Sequence, residues 1–200
     1  MPIAQVAKEL KVAESSVVNF CKTIGFDGFK QLKINLVKNL DNPEKLIYED
    51  INKDDSQQDV IKKVFSSSIR TLEESLQTID MKQFSMAVEA ILSAKRTEFY
   101  GVGSSSTLVQ DAYYRFMRIG LPVYAAIDPH ISRVSASNMD KDCLAIGISY
   151  KGRTRDTIET LEIAKRKGAK TMCITCFPLS PITKISDIQI VIPTSEAKIM

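Results

Sequence analysis

Two short stretches of this 200-residue chain concentrate residue types that can do chemistry at a loop. GVGSSST at 101–107 sets Gly101 and Gly103 ahead of three serines and a threonine. SYKGRT at 149–154 holds Ser149, Lys151, Gly152 and Thr154. Each follows an apolar run and opens a helix-like pattern. At such a turn the backbone N–H groups and the helix dipole favour an anion, hydroxyls add donors, and glycine permits close approach. Ser104, Ser105, Ser149, Lys151 and Thr154 could together surround one phosphate. One turn of this kind reads as an ordinary strand–helix connection with a hydroxyl cap. Two of them, each at the carboxyl end of a strand, point to a shared anion site.

Catalytic partners are not evident beside them. His130, the one histidine, stands at the start of a helix-like stretch after AAIDP, where a capping or surface role is expected. Glu159 and Glu162, three apart on the helix after the second turn, read as a solvated face. Cys173 and Cys176 form a C-x-x-C, but no second pair accompanies them and TMCITC reads as a buried strand. No catalytic residue, metal site or cofactor is expected. A dinucleotide site would use Gly101, Gly103 and Asp128, the last ending the second strand. Ser106 stands at the third glycine position, so that fingerprint is incomplete and leaves the second turn unexplained.

The elements that must hold these turns follow from periodicity. Residues 57–78 and 80–93 read as consecutive amphipathic helices. Apolar runs TEFYGVG, LPVYAAI, CLAIGIS, KTMCITC and IQIVIP then alternate with helical stretches near 105–118, 130–138, 155–167 and 180–185. That alternation predicts an α/β fold, a five-stranded parallel sheet with helices on both faces.

The first 40 residues differ. IAQVAKELKV repeats Ile3, Val6, Ala7 and Leu10 at helical spacing. AESSVVNFCKTIG offers Ser15 as a cap, apolar Val18 and Cys21, and Gly25 as a stop. A third helix is expected through Leu32, Ile34, Leu36, Val37 and Leu40. The order helix, short turn, helix in 2–24 is helix-turn-helix geometry, whose second helix enters the major groove of DNA. Glu14, Ser15, Ser16 and Asn19 would then face base edges, with Lys22 and Lys30 near phosphates. Residues 41–56, polar and rich in Asp and Asn, read as a linker to a second domain over 57–200.

The segment IAQVAKELKVAESSVVNFCKTIGFDGFKQLK resembles the N-terminal domain of RpiR-type transcription regulators. The likeness rests on Val17, Val18, Phe20 and Cys21 and on the turn Gly25-Phe26-Asp27-Gly28-Phe29. Asn19 stands where that family usually has arginine. Residues 57–193 resemble the sugar isomerase (SIS) domain, an α/β sandwich that binds phosphosugars, through YGVGSSS, RIGLPVY, CLAIGISYKGRTRDTIE and AKRKGAKTMCIT. That resemblance implies a sugar-phosphate site at Ser105, Ser149, Gly152 and Thr154, with Tyr150 and Lys151 between them; Lys151 replaces the usual serine. Both resemblances imply a chain truncated at each end, lacking helices before the reading motif and a closing helix after the last strand.

A net charge of +3 with 44% hydrophobic residues suits one sizeable core plus a small unit. The opening MPIAQVAKEL is too polar for a secretory signal, and no apolar run nears membrane-spanning length. The four cysteines read as reduced core thiols of a cytoplasmic protein. The expectation is a non-enzymatic regulator that binds an operator, senses a sugar phosphate and forms a homodimer or higher homo-oligomer, with no membrane partner. The competing expectation is a phosphosugar isomerase or related SIS-domain enzyme.

Overall fold

The computed structural model describes residues 2–23, 26–33, 51 and 54–192. The chain forms two compact units that divide inside one helix, between Ser68 and Ile69.

In the first unit, α1 (Ile3–Leu10) and α2 (Glu14–Thr23) pack through Ala7, Val17 and Cys21. Ile3, Val6, Phe26, Phe29 and Leu32 close over these three. Lys11 ends α1 in the left-handed region at φ 54°, which lets the Val12 N–H return to the Ala7 carbonyl at 3.0 Å. Two expectations are corrected here. Ser15 is not the cap of α2: the Ala13 carbonyl accepts from Ser16 N–H at 3.0 Å, so Ala13 holds the cap position and Ser15 lies in the first turn. Val17 is the buried valine, four residues before Cys21 on one face, and Val18 is only half-buried. Residues 29–33 are helical. The expected stop at Gly25, the rest of the third helix and most of the linker fall outside the described residues.

A long helix, α3 (Gln57–Thr78), starts in this unit and runs into the second. Ser56 and Asp59 cap its start reciprocally: Ser56 N–H donates to Asp59 Oδ2 and Asp59 N–H to Ser56 Oγ, both at 3.2 Å. Ile61, Val64, Phe65, Ile69, Leu72 and Leu76 recur at helical spacing along it, and all are exposed.

The second unit carries α4 (Met81–Ser93), β1 (Arg96–Tyr100), α5 (Ser105–Arg118), β2 (Val123–Ala126), α6 (Pro129–Ser137), β3 (Cys143–Ile148), α7 (Arg155–Arg166), β4 (Lys170–Thr175), α8 (Pro181–Ile185) and β5 (Ile188–Val191). All strand pairs are parallel, in the order β2-β1-β3-β4-β5. A parallel sheet covered on both faces needs strands apolar on both sides. Central β3, CLAIGI, meets this with every residue buried. Leu144, Ile146 and Ile148 face a core shared with Ala87 and Ala90 of α4 and Val109 of α5. Cys143 and Ala145 face the opposite core, with Ala136 of α6, Leu161 and Ala164 of α7 and Ile182 of α8. On that side α7 presses so close that a Cβ on Gly147 would lie 2.7 Å from Leu161 Cδ1. The expected α/β sandwich is the observed one.

Candidate functional site

The strand order reverses direction between β1 and β3: β2 lies on one side of β1, and β3, β4 and β5 on the other. In open α/β sheets this switch point leaves a crevice at the carboxyl ends of the strands, where ligands bind. Both candidate turns open there. Tyr100 and Gly147 are register partners, so the chain leaves β1 and β3 side by side. A Cβ built on Gly101 would lie 3.0 Å from the Ile148 carbonyl oxygen and 3.3 Å from Ser105 Cβ. The start of α5 and the residue before Ser149 therefore close on the same point, and only a glycine fits between them.

The first turn divides its hydroxyls. Ser106 Oγ donates to the Gly103 carbonyl at 2.7 Å, and Thr107 Oγ1 to the Ser104 carbonyl at 2.5 Å. Those two bonds stitch the turn, which Gly103 makes possible at φ 61°. Ser104 and Ser105 donate no side-chain hydrogen bond to any described residue, and the Ser104 side chain does not cap α5. Their hydroxyls remain available to a ligand.

The second turn is held from behind by β4. Ser149 N–H donates to the Ile174 carbonyl at 3.1 Å, and the Tyr150 carbonyl accepts from Cys176 N–H and Thr175 Oγ1, each at 3.0 Å. Gly152, at φ 63°, donates its N–H to the Ser149 carbonyl and accepts from Ile182 N–H, again at 3.0 Å each. Its missing side chain makes room for Ser180, whose Cβ would lie 2.5 Å from a Cβ on Gly152. Buried Ser149 shares a 2.9 Å hydrogen bond with Thr154 Oγ1. Lys151 and Arg153 are exposed at the rim, and the Tyr150 ring meets Phe177 edge-on at 5.9 Å.

Helix caps differ across the unit, and Ser180 at the start of α8, like the two cap residues at the site, makes no side-chain cap bond. Asp80 and Asp128 cap α4 and α6, each accepting two backbone N–H groups. At α5 and α7 the cap residues are Ser104 and Thr154, and neither side chain takes a backbone N–H. The two helices that start at the switch point thus have no side-chain cap on their first N–H groups, although Asp156 lies in the first turn of α7 and Ser106 N–H donates to the Gly103 carbonyl at 3.1 Å.

Other candidates prove occupied. Asp128 Oδ1 accepts from His130 and Ile131 N–H at 2.9 and 3.0 Å, and these bonds, Ile131's first, hold its carboxyl below the usual range. Asp128 is a helix cap, and exposed His130 supplies the backbone N–H to it. Glu159 is not simply a solvated residue. Arg155 and Arg133 both pair with it, and Arg133 also pairs with Asp156 in the first turn of α7. These bonds fasten α6 to α7 just behind the second turn.

Sequence reasoning missed a buried polar cluster on β1. Glu98, almost fully buried, accepts from Tyr100 Oη at 2.6 Å and from Ser135 Oγ at 2.9 Å, and is ion-paired with Arg96. Burial and the Glu98 charge push the Tyr100 phenol far above its usual value. Arg96 also lies 5.1 Å from the Tyr124 ring centroid. Arg96, Glu98 and Tyr100 alternate along β1 onto the face under α6, a spacing visible in RTEFY.

On the first unit, Glu14, Ser15, Ser16, Asn19 and Lys22 are all exposed on α2, and Lys30 is exposed on the helical segment 29–33.

Residues 1–43 match the model of the helix-turn-helix domain of the rpiR family, and residues 90–200 match that of the SIS domain. HTH-type transcriptional regulator RpiR of Escherichia coli K12 is 32% identical over 99% of this chain and 67% of its own length. The chain belongs to the RpiR family. An uncharacterised HTH-type transcriptional regulator of Caldanaerobacter subterraneus is also 32% identical, over 98% of this chain and 70% of the relative. Among solved structures, NanR of Vibrio vulnificus complexed with ManNAc-6P superposes with a TM-score of 0.68 at 23% identity, covering 98% of this chain and 69% of NanR. In RpiR-family terms, α1 and α2 are the helix-turn-helix, and the sheet with its two uncapped turns is the SIS domain.

Proposed function

We propose that this RpiR-family transcription regulator senses a sugar phosphate in the crevice between β1 and β3 and that the ligand alters its grip on an operator. One observation carries the reading: two uncapped helix N-termini, α5 and α7, start at the switch point beside the unengaged hydroxyls of Ser104 and Ser105. A phosphate is the anion this arrangement suits, because it accepts from several converging N–H and O–H donors at once. Ser104, Ser105, Ser149, Tyr150, Lys151, Gly152 and Thr154 form the site, with Lys151 adding charge from the rim. The NanR relative, solved with ManNAc-6P, supports a sugar phosphate as the ligand class.

The site senses rather than turns over. Isomerisation would need a positioned base beside a carbonyl. Asp128 is committed as a cap and Glu159 is ion-paired, while His130 is exposed at the start of α6. DNA is held by the first unit through Glu14, Ser15, Ser16, Asn19, Lys22 and Lys30. The reading domain spans 1–40, the linker 41–56 and the sensing domain 57–200. Two copies act together, since a pair of reading helices matches two half-sites. The exposed apolar stripe of α3 supports such an assembly. The protein works in the cytoplasm; no helix among the described residues is long and apolar enough to cross a membrane.

Coupling between two such sites is typically about 1–3 kcal/mol, so the ligand should change operator affinity roughly 5- to 150-fold. The test is operator binding with and without a panel of sugar phosphates, beside a thermal-shift screen of the same panel. A ligand that raises the melting temperature and shifts DNA affinity fits the reading; catalytic turnover of a ligand, or no DNA shift with any, overturns it.

A further inference from the structure

We infer that Asn19 is the base-specificity residue of α2 and that it reads an adenine at the centre of each half-site. The inference rests on the DNA-binding role of the first unit and deepens it. Val17 and Cys21 mark the buried side of α2. At about 100° per residue, the direction midway between them lies ~180° from Asn19. Asn19 thus sits at the middle of the outward face. Ser15 and Thr23 flank it at about 40° to either side, and Lys22 and Ser16 at about 60°. All five are exposed.

The chemistry of that face is narrow. A serine hydroxyl accepts or donates singly and discriminates bases weakly. Thr23 Oγ1 donates to the Asn19 carbonyl at 2.9 Å, which commits its proton within the helix. Lys22 lies toward the flank, where a phosphate is the nearer partner. Asn19 carries a carboxamide with one acceptor and two donor hydrogens, and it bonds to no described residue through its side chain. A carboxamide matches adenine in the major groove, accepting from N6–H and donating to N7, whereas the guanine edge presents two acceptors and suits arginine. α2 itself carries no arginine, so no guanidinium on this helix can read guanine in that way. The central contact is therefore to an A·T pair.

The experiment is selection of binding sites from a random DNA duplex library by the full chain, by Asn19→Ala and by Asn19→Arg. Circular dichroism should show all three equally folded, because position 19 is exposed. The wild type should enrich a motif with one A·T pair nearly invariant in each half-site. Asn19→Ala should leave that pair degenerate, and Asn19→Arg should replace it with G·C. In titrations, changing that pair to G·C should weaken the wild type roughly 5- to 150-fold and leave Asn19→Ala nearly indifferent. If Asn19→Ala selects the same adenine as the wild type, Asn19 is not the reader and the inference fails while DNA recognition stands. If the wild type enriches no motif at all, the sequence-specific reading fails with it.

Discussion

Ser149 Oγ and Thr154 Oγ1 lie 2.9 Å apart across the turn from β3 into α7, one buried and the other at the helix cap. The bond fixes both hydroxyls at the mouth of the crevice and keeps Thr154 from capping its own helix. Thr154→Val keeps the shape of the side chain and deletes the hydroxyl. Hydrogen bonds to charged groups are worth about 1.5–3 kcal/mol. Sugar-phosphate affinity should therefore fall roughly 10- to 150-fold, read by calorimetry, and the ligand-free melting temperature should drop by a few degrees, because buried Ser149 Oγ loses its partner.

Gly152 and Ser180 make a second, purely steric prediction. Gly152→Ala must hold φ 63°, which costs an L-residue about 1–2 kcal/mol. Its new Cβ must also displace Ser180. The single variant should melt several degrees lower, since ~1 kcal/mol shifts a chain of this size by about 2–4 °C. Adding Ser180→Gly relieves the overlap but not the backbone strain, so the double variant should recover only part of the loss. Full additivity of the two changes would show that the residues do not meet.

The order of helices and strands was legible because each element has a clear period: the apolar runs of β1 to β5 and the three-to-four spacing of α3 and α7. Both candidate turns were legible for the same reason, since a strand end and a helix start bracket each one. Three things were not. Neither turn reveals that Ser106 and Thr107 bond within the loop while Ser104 and Ser105 do not. Burial of Glu98 depends on Ser135, 37 residues away on α6, and no local pattern encodes that meeting. Serine is a strong cap former, so AESS suggests a cap at Ser15; packing of Val17 and Cys21 instead sets the start of α2 at Glu14.

Lys151 tests how charge contributes at the rim. Its side chain is exposed, so it does not fill the crevice. Lys151→Ser should weaken sugar-phosphate binding rather than improve it. An exposed ion contact is worth about 0.2–1 kcal/mol, a loss of roughly 1.5- to 5-fold at low salt. The wild-type advantage should shrink as salt rises, because a solvated charge is screened. Tighter binding by the serine variant would mean that the lysine obstructs the site.

Arg133 joins α6 to Asp156 and Glu159 of α7, and that link responds to pH. Hydrogen bonds from Arg155 first, then Arg133, hold the Glu159 carboxyl below its usual 4.5. A carboxylate whose pKa is lower when folded stabilises the fold above the unfolded value and loses that contribution as pH falls through the folded one. Arg133→Ala should therefore lower the melting temperature at neutral pH. As pH falls below 4.5 and through the depressed folded value of Glu159, the gap between variant and wild type should narrow, as protonated Glu159 no longer pairs with Arg133. A gap constant from pH 7 to 3 would assign the effect of Arg133 to packing.

Ala13 offers a change in the opposite direction. It occupies the cap position of α2 with no side-chain acceptor for the first N–H groups of the helix. Ser, Asp or Asn at a cap is worth about 0.5–2 kcal/mol over Ala. Ala13→Ser should raise the stability of the first unit by an amount in that range, measured by amide exchange of α2 in the intact chain. It should leave the exposed face around Asn19 unaltered, so the base preference selected from random DNA should not change. A slower-exchanging α2 with the same preferred motif would separate the stability of the reading helix from what it reads.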